Sequence, residues 1–138
     1  MKLHQETLRL EGRGPGLHDV TDAVRRVVTA AGVRTGLCNV LVQHTSASLV
    51  VQENADPAVR RDLQRFLARI APEDADYEHD AEGPDDMPSH IRAALTRTAE
   101  TLPVSGGDLA LGTWQALYLW EHRRSPHARS LLVTVWGR

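Results

Sequence analysis

The segment "LALGTWQALYLWEHR", residues 109–123, constrains the fold more than any other. Read as a strand, it puts Gln115, Leu117, Leu119 and Glu121 on one face and Trp114, Ala116, Tyr118, Trp120 and His122 on the other, because side chains alternate along extended chain. Both faces are apolar, so the strand is expected to be covered on both sides. Gly112 interrupts the run, and glycine inside a strand pattern marks a bulge or a close backbone approach. Upstream, "ETLPVS" runs into Gly-Gly-Asp, a hairpin signal. Downstream, the polar turn "RSPHAR" leads to a last strand, "SLLVTVWG".

The rest of the chain alternates between the two periodicities. Residues 3–10, "LHQETLRL", read as a half-buried strand, and "EGRGPG" as a turn. From Asp19, a candidate N-cap, Val20, Val24, Val27, Val28 and Ala31 form a helical stripe that Gly32 closes. Residues 33–54 read as extended, with Val40, Val42, His44, Ser46, Ser48 and Val50 on one face. Asp56 followed by Pro57 starts a helix with a stripe of Val59, Leu63, Phe66, Leu67 and Ile70, ending at Pro72. Residues 72–88 form an acidic loop, long enough to suggest a function. A third helix is expected over 88–99, with Ile91, Leu95 and Thr98 inward. Hairpin-connected strands dominate, which makes the fold α+β with a largely antiparallel sheet. No repeat or linker divides residues 1–138, which are read as one domain.

Composition excludes several functions. Sixteen basic residues against eighteen acidic ones, with no long run of either sign, argue against nucleic-acid binding and against a polybasic membrane surface. "MKLHQETLRLEG" has no apolar signal core, and no stretch is long enough to span a bilayer. The single Cys38 has no internal disulfide partner, which fits a reducing cytoplasm, and its apolar strand makes it packing rather than chemistry.

Chemistry-bearing residues are scattered. His44 sits beside Val40 and Val42, where burial favours the neutral imidazole that binds metal or acts as base; the plainer reading is a core histidine satisfied by a carbonyl or by Ser46. His90 lies in a first helical turn, whose dipole disfavours imidazolium, although a solvated residue is the commoner case. His79 stands among Glu78, Asp80, Glu82, Asp85 and Asp86; such a loop could chelate a cation or be a solvated surface with Asp85 or Asp86 as helix cap. Glu121, near the end of a buried strand, needs a partner: a metal, a ligand or, most commonly, an arginine across the hairpin. Gln115 and Glu121 lie roughly 20 Å apart on a straight strand at about 3.3 Å per residue, so a shared site requires a bend or a second subunit. The Arg123–Arg129 turn could hold phosphate, but a solvated turn is the simpler reading.

Together, "HTSASLVVQENADPAVRRDL", "YEHDAEGPDDMPSHI" and "LGTWQALYLWEHR" resemble the secondary thiamine-phosphate synthase, or YjbQ-type, family over nearly the whole chain. The resemblance implies a two-sheet β-sandwich with flanking helices, a homotrimer, and a metal-containing pocket. On matching positions it implies His44, His79 and His90 as metal ligands and Asn54, Gln115 and Glu121 as catalytic residues. His122 is a less characteristic position, and Ala55 stands where relatives can carry Cys, so no thiol nucleophile is available there. The implied activity is a secondary or weak condensation of an aminopyrimidine-methyl diphosphate with a thiazole phosphate. A three-histidine set suits Zn²⁺ or a similar metal better than Mg²⁺, the usual diphosphate partner. Hydrolysis of a small phosphorylated compound is therefore the favoured native reaction. The rival is a trimeric small-ligand or anion binder with a structural metal and no turnover.

Overall fold

The computed structural model describes all residues 1–138. Eleven elements follow one another: β1 (Lys2–Leu10), β2 (Gly16–Asp19), α1 (Thr21–Ala31), β3 (Thr35–Val42), β4 (Ala47–Glu53), α2 (Pro57–Ile70), α3 (Asp86–Leu95), β5 (Ala99–Ser105), β6 (Asp108–Leu109), β7 (Gln115–Glu121) and β8 (Arg129–Gly137). The fold is α+β, with one five-stranded sheet, β1-β8-β3-β5-β6, and one three-stranded sheet, β2-β7-β4. All strand pairs are antiparallel. No helix is long and apolar enough to cross a membrane.

The core lies between the sheets and under α1. Val24, Val27 and Val28 of α1 pack with Cys38, Val40 and Val42 of β3, Leu117 and Leu119 of β7, and Leu131, Val133 and Val135 of β8. β7 is the central strand of its sheet, and Ala116 through Glu121 are all buried, as two apolar faces require. Leu117 and Leu119 fill the core. Tyr118 and Trp120 face the opposite way, toward α2, where Arg60 donates to the Tyr118 hydroxyl and the Trp120 indole donates to Gln64.

Six sequence expectations need correction. The segment before α1 is not only a turn: Gly16–Asp19 pair with Tyr118–Glu121 as β2, a strand too short to show a period. The side chain of Asp19 does accept from the Thr21 amide, but the N-cap position itself is Val20. Residues 33–54 are two strands in different sheets, and Gln43–Ser46 make the crossing, so His44 and Ser46 lie on no strand face. Polar residues suit this crossing because its backbone leaves both ladders; the His44 ring accepts from the Ser130 amide, and Ser46 accepts from Arg129. The third helix starts at Asp86 and ends at Leu95, and it buries Pro88, Ser89, Arg92 and Ala93 while Leu95 is exposed. Its inward face is polar, which hydrophobic periodicity misreads. The long strand starts at Gln115, because Gly112–Gln115 close a turn. Finally, the stripe of α2 is only half used: Leu67 is buried, but Phe66 and Ile70 are exposed.

The outer face of the larger sheet is open. Leu3, Trp136, Leu37 and Pro103 lie side by side across four strands, with Leu3 76% and Leu37 37% exposed.

Candidate metal centre and adjoining clefts

Asp86 opens α3 and His90 follows one turn later, so both project from the same side of the helix. The loop before the helix folds back and delivers His79. Two hydrogen bonds and a glycine turn shape that loop. The Tyr77 hydroxyl donates to Pro72 O, Gly83 turns the chain at φ 99°, and Arg123 donates to Glu82 O. Asp86 Oδ2 then lies 2.7 Å from His79 Nε2 and 3.2 Å from His90 Nε2, and the two rings meet edge to face at 5.4 Å. One ligand atom from each of His79, Asp86 and His90 lies within 4.8 Å of the other two. Asp86 is the buried floor of this group, while His79 is exposed and His90 half-buried.

Arg123 fixes the floor. Its Nε donates to Asp85 and its Nη1 to Asp86, each at 2.9 Å. Burial raises the Asp86 carboxyl, but the hydrogen bond to His79 and the charges of His90 and Arg123 outweigh it, so Asp86 titrates below the usual carboxylate range. Asp85 behaves alike: burial raises it, and the Arg124 amide and the Arg123 side chain bring it down further. Two imidazole nitrogens and one carboxylate oxygen are a donor set for Zn²⁺ or a similar borderline ion, and they leave coordination positions open.

The structure does not bring His44 to this group. Its Nε2 accepts the Ser130 amide at 2.8 Å, so the ring proton resides on Nδ1. Burial, then the nearby Arg129, lowers its pKa. Glu121 also lies elsewhere. Its partner is the arginine across the β7–β8 connection: Arg129 Nε and Nη2 donate to it at 2.6 and 2.5 Å. The amides of His122 and Arg123 donate to Oε1 as well, each at 3.0 Å. Glu121 and Arg129 are both buried, and the pair ties the end of one sheet to the start of a strand in the other. Asn54 and Gln115 brace a turn. Asn54 donates to Thr113 O and Gln115 O, and Gln115 Oε1 accepts from the Gly112 amide. His122 is buried, with Nε2 2.9 Å from Ser48 Oγ of β4.

A cleft of about 490 Å³ opens over the Glu121–Arg129 pair, with Arg9, Arg13 and Arg26 on its walls. None of these three arginines has an ion-pair partner. Arg123 and Arg129 point inward, so the turn between them is not simply a solvated basic tip.

Comparison with known proteins agrees with this architecture. A profile of the family described as UPF0047 protein YjbQ-like matches residues 6–138. The chain belongs to this family. A UPF0047 protein from Synechocystis is 53% identical over 135 residues, covering 97% of this chain and 92% of that one. YjbQ of Escherichia coli O157:H7 is 44% identical, covering 97% and 98%. A crystal structure of a YjbQ/UPF0047 family protein from Clostridium acetobutylicum superposes with a TM-score of 0.88 at 32% identity, covering 95% of this chain and 99% of that one. A YbjQ-like protein of unknown function from Sulfolobus solfataricus P2 gives 0.89 at 23% identity, covering 99% of both, and speaks for the fold alone.

The sequence singled out His79 and His90 and offered Asp86 only as one of five carboxylates around them, with His44 as the third ligand. The signal was present in "DMPSH", where Asp and His stand four apart at a helix start. Arg123 carried no readable signal, because its role depends on a loop returning from residue 82.

Proposed function

We propose that this chain is a metal-assisted enzyme acting on a small phosphorylated compound. Its activity includes a secondary or weak thiamine-phosphate synthase reaction, and hydrolysis is the native chemistry. The observation that carries the reading is the convergence of His79, Asp86 and His90, from a loop and a helix, around one point. These three residues would hold a Zn²⁺-like ion, which supplies Lewis acidity toward a phosphoryl or diphosphate oxygen. Arg123 orients Asp86, as partners of ligating groups do. The unpaired arginines of the 490 Å³ cleft offer bidentate donors to a phosphorylated substrate, and Arg129 closes its floor. The open apolar row Leu3–Trp136–Leu37–Pro103 supports assembly with further copies, in line with a homotrimer. The buried, unpaired Cys38 is compatible with a cytoplasmic setting.

The test is metal analysis of protein purified without an affinity tag, alongside assays of condensation and of phosphate release. One bound ion per chain, lost together with turnover in Asp86→Ala and His90→Ala, is the expected result. Turnover that survives both substitutions, or a native protein free of metal, would refute the reading. The rival, a trimeric anion binder with a structural metal, draws on the same cleft arginines. Four protein ligands closing the coordination, with no turnover, would establish it.

A further inference from the structure

The side of the molecule under α2 holds a second polar cleft that the metal group does not use. It measures about 430 Å³, and its walls include Gln64, Ala68, Pro72, Arg92, His122 and Arg124. Two buried nitrogens in these walls have no hydrogen-bond partner in the protein: Arg92 Nε and His122 Nδ1. Arg92 is 8% exposed and His122 2%. The Arg92 guanidinium donates to Ala71 O at 2.9 Å but forms an ion pair with no carboxylate. An arginine taken out of water without an anion is an unusual arrangement, because its lost hydration is normally replaced by a paired charge.

His122 is prepared on its other side. Thr96 Oγ1 lies 2.6 Å from Ser48 Oγ and 2.8 Å from Arg92 O, and Ser48 Oγ lies 2.9 Å from His122 Nε2. When the serine proton goes to Nε2, the neutral ring carries its own proton on Nδ1 and becomes a donor. Arg92 Nε and His122 Nδ1 then both lie behind the cleft lining as unpaired donors, without solvent exposure of their own. The Gln64 amide is a further donor, since its oxygen already accepts from Trp120. Negative charge is kept at the mouth: Glu73 is held by Arg124, and Asp74 is exposed. A bridging water needs roughly 30 Å³, so a single water fills only a small part of this volume.

We propose that this cleft binds the phosphate group of a small molecule, with Arg92 and His122 as its buried donors and Arg124 and Gln64 nearer the mouth. A tetrahedral oxyanion fits better than a planar carboxylate, because its oxygens point in several directions and the donors come from α2, α3 and the segment after β7. The site does not involve His79, Asp86 or His90, so it stands or falls independently of the metal reading.

The experiment is a titration of the full chain with inorganic phosphate, read by NMR at the His122 imidazole nitrogens, which isolates this cleft from the arginines over Glu121. A saturable shift with protonated Nδ1 is expected. Arg92→Met should weaken the binding about tenfold or more, the value of one lost charge-assisted bond. Because a buried substitution risks misfolding, Arg124→Ala at the surface is the second variant, and a several-fold loss is expected there with an unchanged circular dichroism spectrum. No saturable shift by about 20 mM, an affinity of negligible use by the usual arithmetic, overturns the proposal. So does binding that is equal in wild type and both variants. Acetate competing as well as phosphate overturns the assignment of a phosphate group.

Discussion

Acidification should destabilise this fold through His122 in particular. Burial, reinforced by the charges of Arg92 and Arg129, pushes its pKa down from 6.5 to about 3. Above 6.5 the ring is neutral in both folded and unfolded chains, and pH has no leverage on it. Below 6.5 the unfolded chain takes up a proton that the folded chain refuses, so stability falls with pH until the folded value is passed. Each unit is worth about 1.4 kcal/mol, so a drop from pH 6.5 to about 5 costs on the order of 2 kcal/mol at this one residue. Asp85 and Asp86, whose pKa values are also lowered, lose stabilisation in more acidic solution, but they do so in any variant that keeps them. Urea unfolding of wild type and His122→Gln, at one protein concentration in phosphate-free buffer, isolates the contribution. His122→Gln starts less stable, yet its loss between about pH 7 and about pH 5 should be smaller by roughly 2 kcal/mol. Parallel curves for the two proteins would refute the reasoning, since they would mean that His122 titrates alike folded and unfolded.

Other substitutions probe the frame. Glu121→Gln leaves Arg129 buried without its counter-charge and should cost about 3–5 kcal/mol in chemical denaturation. Gly36→Ala drives a methyl to 2.0 Å from the Trp136 carbonyl oxygen where β3 meets β8, and a loss of about 1–3 kcal/mol or more, read as a lower melting temperature, is expected. On the proposed trimeric assembly, Leu37→Glu, in the centre of the open apolar row, should give a monomer in light scattering where wild type gives a trimer; equal masses for the two proteins would refute that use of the row.

The strands that sequence reading placed well are those whose environment is one-sided or wholly buried. β7 announced itself through two apolar faces, and Gly106-Gly107 turned β5 into β6 with φ values of 58° and 82°. The capping pair Asp56–Pro57 set the start of α2, and the Asp56 side chain accepts from Ala58 as expected. What stayed hidden depends on tertiary geometry. β2 is four residues long, and nothing in its composition separates it from a turn. The step of the chain from one sheet to the other at residues 43–46 looks like continued strand, because a crossing has no periodicity of its own. In the candidate site, two of three predicted ligands meet, and the third is anchored to the Ser130 amide. The inward face of α3 pairs Ser89 and Arg92 with backbone carbonyls, and such polar burial is invisible to a hydrophobic stripe.

Arg123 answers to two masters. Its main-chain nitrogen is bound to Glu121, and through it to Arg129 under the larger cleft, while its side chain grips both aspartates beneath His79 and His90. One residue is therefore a strut between the candidate metal group and the cleft over Glu121. Its backbone is held on one side and its guanidinium on the other, so a single amino acid joins the Glu121–Arg129 pair to the floor beneath the two imidazoles.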